Sequence, residues 1–356
     1  MTTYGVVVNV CLAASTIASW RRLERVCAGA LIAPSVALGL AGIGVVHGVT
    51  CAIFATAQGF AWWGFVHLPI ALGGWAVLAR RRGEVAGTRP ALGAAAAIAA
   101  LGLWSWGIEP ERLEVTHVAI PSTEGHMRIA LLADIQTDDA GSYERRVIEA
   151  VRAEHPDLVL FAGDYVQVAD NAAYIAQTAA LARIIGRIDA PLGAWAVRGD
   201  VDGDAWDMGF ADTDVHVVKD SATFALKQSD GRPFWLTALA TPDSRSPAPP
   251  IPVGPGDVDH DGLHIVFGHA PDYALGAADA HPDLLLAGHT HGGQVQIPGF
   301  GPLITLTKVP RAWAAGVTTM PWGGTLIVSR GIGMERLEAP RLRFWCRPEI
   351  VIIDLG

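Results

Sequence analysis

The stretch Leu284-Leu-Leu-Ala-Gly-His-Thr-His-Gly-Gly-Gln294 decides how this chain is read. Four apolar residues make a short buried strand, Gly288 ends it, and His289 and His291 follow with one residue between them. Neutral imidazole is a common metal ligand, and a strand end can hold two rings at fixed positions. The flanking glycines let the backbone bend and let a ligand approach it. Alone, His-x-His separates metal binding poorly from two ordinary loop histidines. Its weight comes from other strand ends that finish in the same chemistry.

From Leu113 onward, short β-rich runs alternate with helical stretches and Gly/Pro/Asp turns, the pattern of an α/β domain. The run 127–133 ends in Asp134-Ile-Gln136, a helix is expected over 143–154, and the run 158–162 ends in Gly163-Asp164. That interval suits one βαβ unit of about 30 residues. A helix expected over 172–188 leads to a strand at 193–197, which ends in Arg198-Gly-Asp-Val-Asp202. The run 263–267 ends in Gly268-His269. Five strands thus each deliver an Asp or His just past the carboxyl end, the edge where open α/β sheets bind ligands. The proline-rich stretch 241–255 reads as a surface loop without chemistry.

Asp134, Gln136, Asp164, Asp200, His269, His289 and His291 supply three carboxylates, three imidazoles and one amide oxygen. This mixed set suits Mn²⁺, Fe, Zn²⁺ or Mg²⁺ rather than a thiolate-selected metal. It is too large for one tetrahedral ion and about right for two divalent ions sharing a carboxylate. Two ions about 3.5–4 Å apart grip a phosphate and lower the pKa of bound water from about 15.7 to about 7. A turn or capping role explains any single aspartate. It does not explain the ordered set.

That order, with Gly-His-Thr-His-Gly-Gly-Gln at 288–294, Pro298-Gly-Phe-Gly301, Ser329-Arg-Gly-Ile-Gly333 and Arg347-Pro-Glu349, resembles the calcineurin-like metallophosphoesterases, most closely their bacterial membrane-associated, YkuE-like branch. The resemblance covers roughly Leu113 to Leu355. It implies a four-layer α/β/β/α sandwich and hydrolysis of phosphate ester or anhydride bonds. By its pattern, Asp134, Gln136, Asp164 and His291 hold one metal. Asp164, as a bridge, with Asp200, His269 and His289 holds the other, which makes Asp164, Asp200 and His289 the residues expected to be catalytic. Three positions depart from it. Gln136 stands where the family has a histidine, and Gly199-Asp-Val-Asp202 stands where it has Gly-Asn-His-Asp. Asp200 replaces one oxygen ligand with another, but Val201 cannot stabilise charge or donate a proton, help typically worth about 10²–10⁴-fold. His216, His264 and Arg330 are conceivable substitutes. The departures also motivate an alternative: a degenerate, non-hydrolytic protein that binds metal or a phosphorylated ligand.

The rest of the chain is of another kind. Charged residues make up only 17% of the 356, and residues 1–107 are nearly free of them outside two arginine clusters. Four apolar stretches, 4–18, 27–49, 57–79 and 90–106, fit the roughly 20 residues that a bilayer-spanning helix needs. The fold expected is therefore a bundle of about four transmembrane helices over 1–107, followed by the α/β domain over 108–356. Arg21, Arg22 and Arg25 form one basic loop and Arg80, Arg81, Arg82 and Arg89 the other, so the positive-inside rule puts both loops in the cytoplasm. With four spans the catalytic domain lies outside the cytoplasm, at the cell membrane. These seven arginines against Glu24 and Glu84 give 1–107 a net +5, which leaves −14 of the chain's −9 for 108–356. So acidic a domain, with three lysines, is a poor partner for nucleic acid. The expected partner is a phosphorylated small molecule, lipid-linked by inference from the membrane location, and no protein partner is evident. Spans without paired charges argue against a transporter. Cys346 alone of the four cysteines lies in the polar half, which rules out a disulfide framework there.

Overall fold

The computed structural model describes Ile43, residues 53–186, 188–249, Ile251 and residues 262–356. These form two compact units, one of apolar helices up to Ile108 with Glu335–Arg341, the other comprising Glu109–Met334 and Leu342–Gly356.

In the first unit, α1 (Ile53–Arg81) runs for 29 residues through a π-helical turn at Trp63–His67, and Thr88–Glu111 forms a second helical stretch of 24 residues. The regular part of that stretch is α2 (Thr88–Leu103). At about 1.5 Å per residue, both exceed the ~30 Å hydrocarbon thickness of a bilayer. They contain the expected spans at 57–79 and 90–106. Gly102 lets the two helices touch: a Cβ there would lie 2.9 Å from the Phe65 Cβ. The Trp106 ring meets Trp62 and Phe65 at centroid distances of 5.5 and 5.7 Å. The expected spans at 4–18 and 27–49, apart from Ile43, and the basic loop between them lie outside the described residues.

The second unit carries the strands. In chain order they are β1 (Glu114–Ile120), β2 (Met127–Leu132), β3 (Leu158–Phe161), β4 (Ala194–Val197), β5 (Val215–Val218), β6 (Ala222–Lys227), β7 (Pro233–Ala238), β8 (Leu263–Phe267) and β9 (Leu284–Ala287). A small hairpin of β10 (Gln296–Ile297) and β11 (Gly301–Pro302) follows, then β12 (Gly316–Thr319), β13 (Thr325–Val328) and β14 (Glu349–Leu355). They build two six-stranded mixed sheets, ordered β1-β14-β2-β3-β4-β5 and β12-β13-β9-β8-β7-β6. Within these, β2, β3, β4 and β5 run parallel, as do β7, β8, β9 and β13.

The sheets pack face to face, and the period-2 alternation of the strands divides their side chains between two faces. Ile129, Leu131, Leu158, Leu160, Ile265, Phe267, Leu284 and Leu286 fill the space between the sheets. Ala130, Leu132, Val159 and Phe161 face outward under two helices, α3 (Ser142–Ala153) and α4 (Asn171–Ile185). Both faces of the central strands are covered, which is why they read as unbroken apolar runs. Full burial of each such side chain stabilises the fold by about 1.5–3 kcal/mol.

The outer face of the second sheet is covered differently. Val266, Leu285 and Leu326 pack under Tyr273 and Ala274, with Trp313 and Trp322 beside them. That cover consists of 3₁₀ turns at Pro271–Gly276 and Ala278–Ala280, not long α-helices, among the described residues. Pro271, Gly276 and Pro282 punctuate the β8–β9 crossover too closely for an α-helix to propagate.

Candidate metal centre

Backbone packing at the strand ends comes first. The loops after β2 and β3 are laced together by Asp134 N–H donating to Gly163 O at 3.0 Å and Gln136 N–H to Asp164 O at 2.8 Å. The loops after β3 and β4 nest through paired glycines: a Cβ on Gly163 (φ +88°) would meet Gly199 Cα at 2.6 Å, and one on Gly199 would meet Asp164 Oδ1 at 2.0 Å. Asp134, Gln136, Asp164, His289 and His291 all have left-handed backbone, with φ between +42° and +70°. For residues other than glycine this costs about 1–3 kcal/mol each, and such strain concentrates at functional sites. The sandwich holds five of the seven candidate ligands in that conformation.

The side chains converge. His269 Nε2 lies 3.4 Å from Asp164 Oδ2 and 3.3 Å from Asp200 Oδ1, and His269 Nδ1 lies 3.8 Å from Asp134 Oδ1. His289 Nδ1 lies 3.5 Å from Asp200 Oδ2 and 3.2 Å from His269 Nε2. Asp134 in turn accepts the His289 main-chain N–H, at 2.9 and 3.0 Å to its two oxygens. Two groups of three ligand atoms result, Asp134–Asp164–His269 and Asp200–His269–His289, each within 4.8 Å of one another.

Carbonyl groups orient the rings. His269 Nδ1–H donates to Ala162 O at 2.9 Å, and His289 Nε2–H donates to Leu306 O at 3.2 Å. The other nitrogens, His269 Nε2 and His289 Nδ1, therefore face each other and the carboxylates. A backbone acceptor orienting the ring in this way is the usual support behind a metal-ligating histidine. Without a metal a proton on His269 Nε2 can lie between the two nitrogens, and a bound cation would take its place.

Burial opposes a charged His269, yet Asp164, Asp200 and Asp134 around it raise its pKa to about 10. His289 is pushed down to about 4 by burial and by the His269 charge. Burial raises Asp164 well above the carboxylate range. Burial acts the same way on Asp200, but the His269 hydrogen bond and charge, with His289 and Arg245, hold it well below that range. Without metal, the carboxylates are thus balanced by a proton on His269 and by Arg245.

His291 stands apart from both groups, yet it is buried and neither of its ring nitrogens has a hydrogen-bond partner. Burial, then the nearby Arg343 charge, keeps its pKa well below the imidazole range. A neutral, buried imidazole with both nitrogens unsatisfied is costly unless it ligates something. The donor set therefore fits divalent cations.

The comparisons with known proteins point the same way. A calcineurin-like phosphoesterase signature covers residues 127–293. The metallophosphoesterase YkuE of Bacillus subtilis (strain 168) is 30% identical over 286 residues, 74% of this chain and 93% of its own length. The chain belongs to the calcineurin-like phosphoesterases. The phosphodiesterase YaeI of Escherichia coli (strain K12) is 26% identical over 211 residues, 57% of this chain and 71% of its own. The metallophosphoesterase Cj0846 of Campylobacter jejuni is 26% identical over 248 residues, 67% of this chain and 61% of its own. This phosphoesterase is thus a hydrolase whose family implies divalent metal ions.

Several expectations about the site need correction. The stretch from Thr241 is not free of chemistry: a helical turn at Thr241–Ser244 leads to Arg245, whose Nη1 pairs with Asp200 Oδ2. Thr241 Oγ1 donates to Arg198 O at 2.7 Å, tying this turn to the Asp200 loop. The three conceivable substitutes for the missing histidine are engaged elsewhere. His216 packs on the Trp195 ring at 4.4 Å, His264 Nε2 bonds Thr237 Oγ1 at 2.8 Å near the opposite end of β8, and Arg330 is held by Glu114 and Glu349 at 2.9 and 2.8 Å. Gln136 directs its amide nitrogen to Gln167 Oε1 at 3.2 Å. Sequence reasoning also missed Asp202, whose carboxylate accepts the main-chain N–H groups of Asp164, Tyr165 and Gly199, each at 2.8 Å. The Gly-x-x-Asp spacing was its one signal.

Proposed function

We propose that this phosphoesterase is membrane-anchored and uses two divalent ions to hydrolyse a phosphoester or pyrophosphate of a lipid-linked substrate. Asp134, Gln136, Asp164 and His291 hold one ion in this reading, and Asp164, Asp200, His269 and His289 the other. The observation that carries it is the convergence of Asp134, Asp164, Asp200, His269 and His289 into two three-ligand groups, beside a buried His291 with neither ring nitrogen hydrogen-bonded. Bound there, the ions would supply charge for the phosphoryl oxygens and a nucleophile at neutral pH. Of the chain's own groups, Arg245 adds a permanent positive charge beside Asp200, suited to a phosphoryl group. Val201, on the same loop, donates only its main-chain N–H, to Asp164 Oδ1 at 2.9 Å. Leaving groups stable as anions are therefore favoured. Residues 1–107 form the anchor and 108–356 the catalytic domain, which four spans and the two basic loops would place outside the cytoplasm.

The test is metal analysis of the purified full chain beside a panel of aryl phosphate monoesters and diesters. Divalent metal with metal-dependent turnover supports the reading, and two bound ions with no turnover of any phosphoester overturns it. Gln136 and Val201 favour one other reading, a non-hydrolytic binder. Activity gained from nothing in Gln136→His/Val201→His would establish that alternative.

A further inference from the structure

The loop leaving the metal centre carries an exposed apolar surface. Ile297, Phe300, Leu303 and Leu306 are 44%, 56%, 46% and 42% exposed within ten residues. Trp345, 64% exposed, follows Phe344, whose backbone bridges to Val295 at the start of this loop. Single exposed apolar residues are ordinary. A contiguous run of large ones marks a surface meant for a ligand, a partner or a membrane.

This surface is continuous with the catalytic cluster, since Leu306 O is the acceptor that orients the His289 ring. Basic groups border it. The Arg311 guanidinium lies over the Phe300 ring at 4.3 Å. Lys308 Nζ donates to Arg245 O at 2.9 Å, and Arg245 pairs with Asp200. In a domain of net negative charge, three cations beside one apolar rim suit an anionic head with a hydrocarbon chain. An aromatic ring next to arginine is also the composition favoured at a membrane interface. The same chain carries two helices long and apolar enough to cross a bilayer.

We propose that the rim formed by Ile297, Phe300, Leu303, Leu306 and Trp345 receives the hydrocarbon chain of an amphiphilic phosphate whose head enters the metal centre. The proposal rests on the phosphohydrolase reading above and names its substrate class: the hydrocarbon chain contributes binding that a water-soluble phosphoester lacks.

Two 4-nitrophenyl phosphodiesters with the same scissile bond test it, one with a methyl and one with a hexadecyl second ester, presented to the full chain in mixed micelles. In Phe300→Ser/Leu303→Ser the hexadecyl kcat/KM is expected to fall about tenfold or more, while the methyl value stays within about twofold. An equal fall for both substrates, or no fall for either, overturns the proposal. A second readout needs no turnover. A hexadecyl phosphate bearing a terminal diazirine, photolysed with the full chain in lipid nanodiscs, should label residues 295–306 or Trp345, and labelling confined to other segments overturns the rim. If the protein hydrolyses neither diester, the panel that includes monoesters still decides the phosphohydrolase reading, and the photolabelling decides the rim.

Discussion

Asp202 and Arg245 show how much of the centre depends on side chains outside the ligand set. Asp202 gathers three main-chain amides from the loops that carry Asp164 and Asp200. Asp202→Ala strands those buried donors, each worth about 1–3 kcal/mol. We expect a loss of about 3 kcal/mol or more in urea unfolding, with reduced metal content in the fraction that still folds. Arg245 has a different role, because it lies at the rim and holds no backbone together through its guanidinium. Arg245→Gln should keep the bound metal while lowering kcat/KM on an aryl phosphate about 10²-fold, the typical effect of losing one charge-stabilising donor. Metal lost together with activity would make Arg245 a support of the site instead. Neither role could be read from spacing. Asp202 looked like one more turn aspartate, and Arg245 stands 45 residues from Asp200 in a proline-rich stretch.

At the level of elements, the glycine contact between the β3 and β4 loops sets how close the acidic tips can come. Gly199→Ala puts a methyl group 2.0 Å from Asp164 Oδ1 and 2.2 Å from its amide nitrogen, so the two loops must part. Its expected signature is a metal content well below wild type with a smaller loss of stability, about 1–3 kcal/mol, as for other overpacked sites. Metal analysis and thermal unfolding of the same preparation check this. The central strands β2, β3, β4, β8 and β9 could be recognised from sequence because both of their faces are buried. Edge strands β1, β5 and β6 could not, since their side chains alternate between half-buried and exposed and their pattern is weak. Helix α4 ends at Ile185, three residues before the end expected, because Gly186 takes φ +54° and stops it.

Across the whole molecule, the acidic cluster ties stability to metal. Asp134 and Asp164 are buried beside His269, and cations that bind this cluster only in the folded state stabilise it by mass action. Chelation is expected to lower the melting temperature by several degrees, about 3 kcal/mol if the metal stands at 100 times its Kd, and re-addition should restore it. An unchanged melting temperature would show that the cluster is stable without ions. The apolar helices α1 and α2 make a second prediction. The full chain should remain in the membrane pellet after an alkaline carbonate wash and leave it only with detergent; release by carbonate alone would exclude spanning helices.

Chemistry that repeats along the chain was already present in the amino acids. Apolar runs that each stop at glycine and an Asp or His specify buried strands with polar tips, because strand burial and metal affinity both follow from residue type and order. Apolar length likewise specifies helices able to cross a bilayer. The fold alone settled which tips meet, which imidazole nitrogen faces inward, and which distant residue borders the cluster. Carbonyls at Ala162 and Leu306 orient the His269 and His289 rings, and the Asp200 partner arrives from a turn 45 residues away. Contacts of that range depend on how two sheets pack against each other, and no local pattern encodes them.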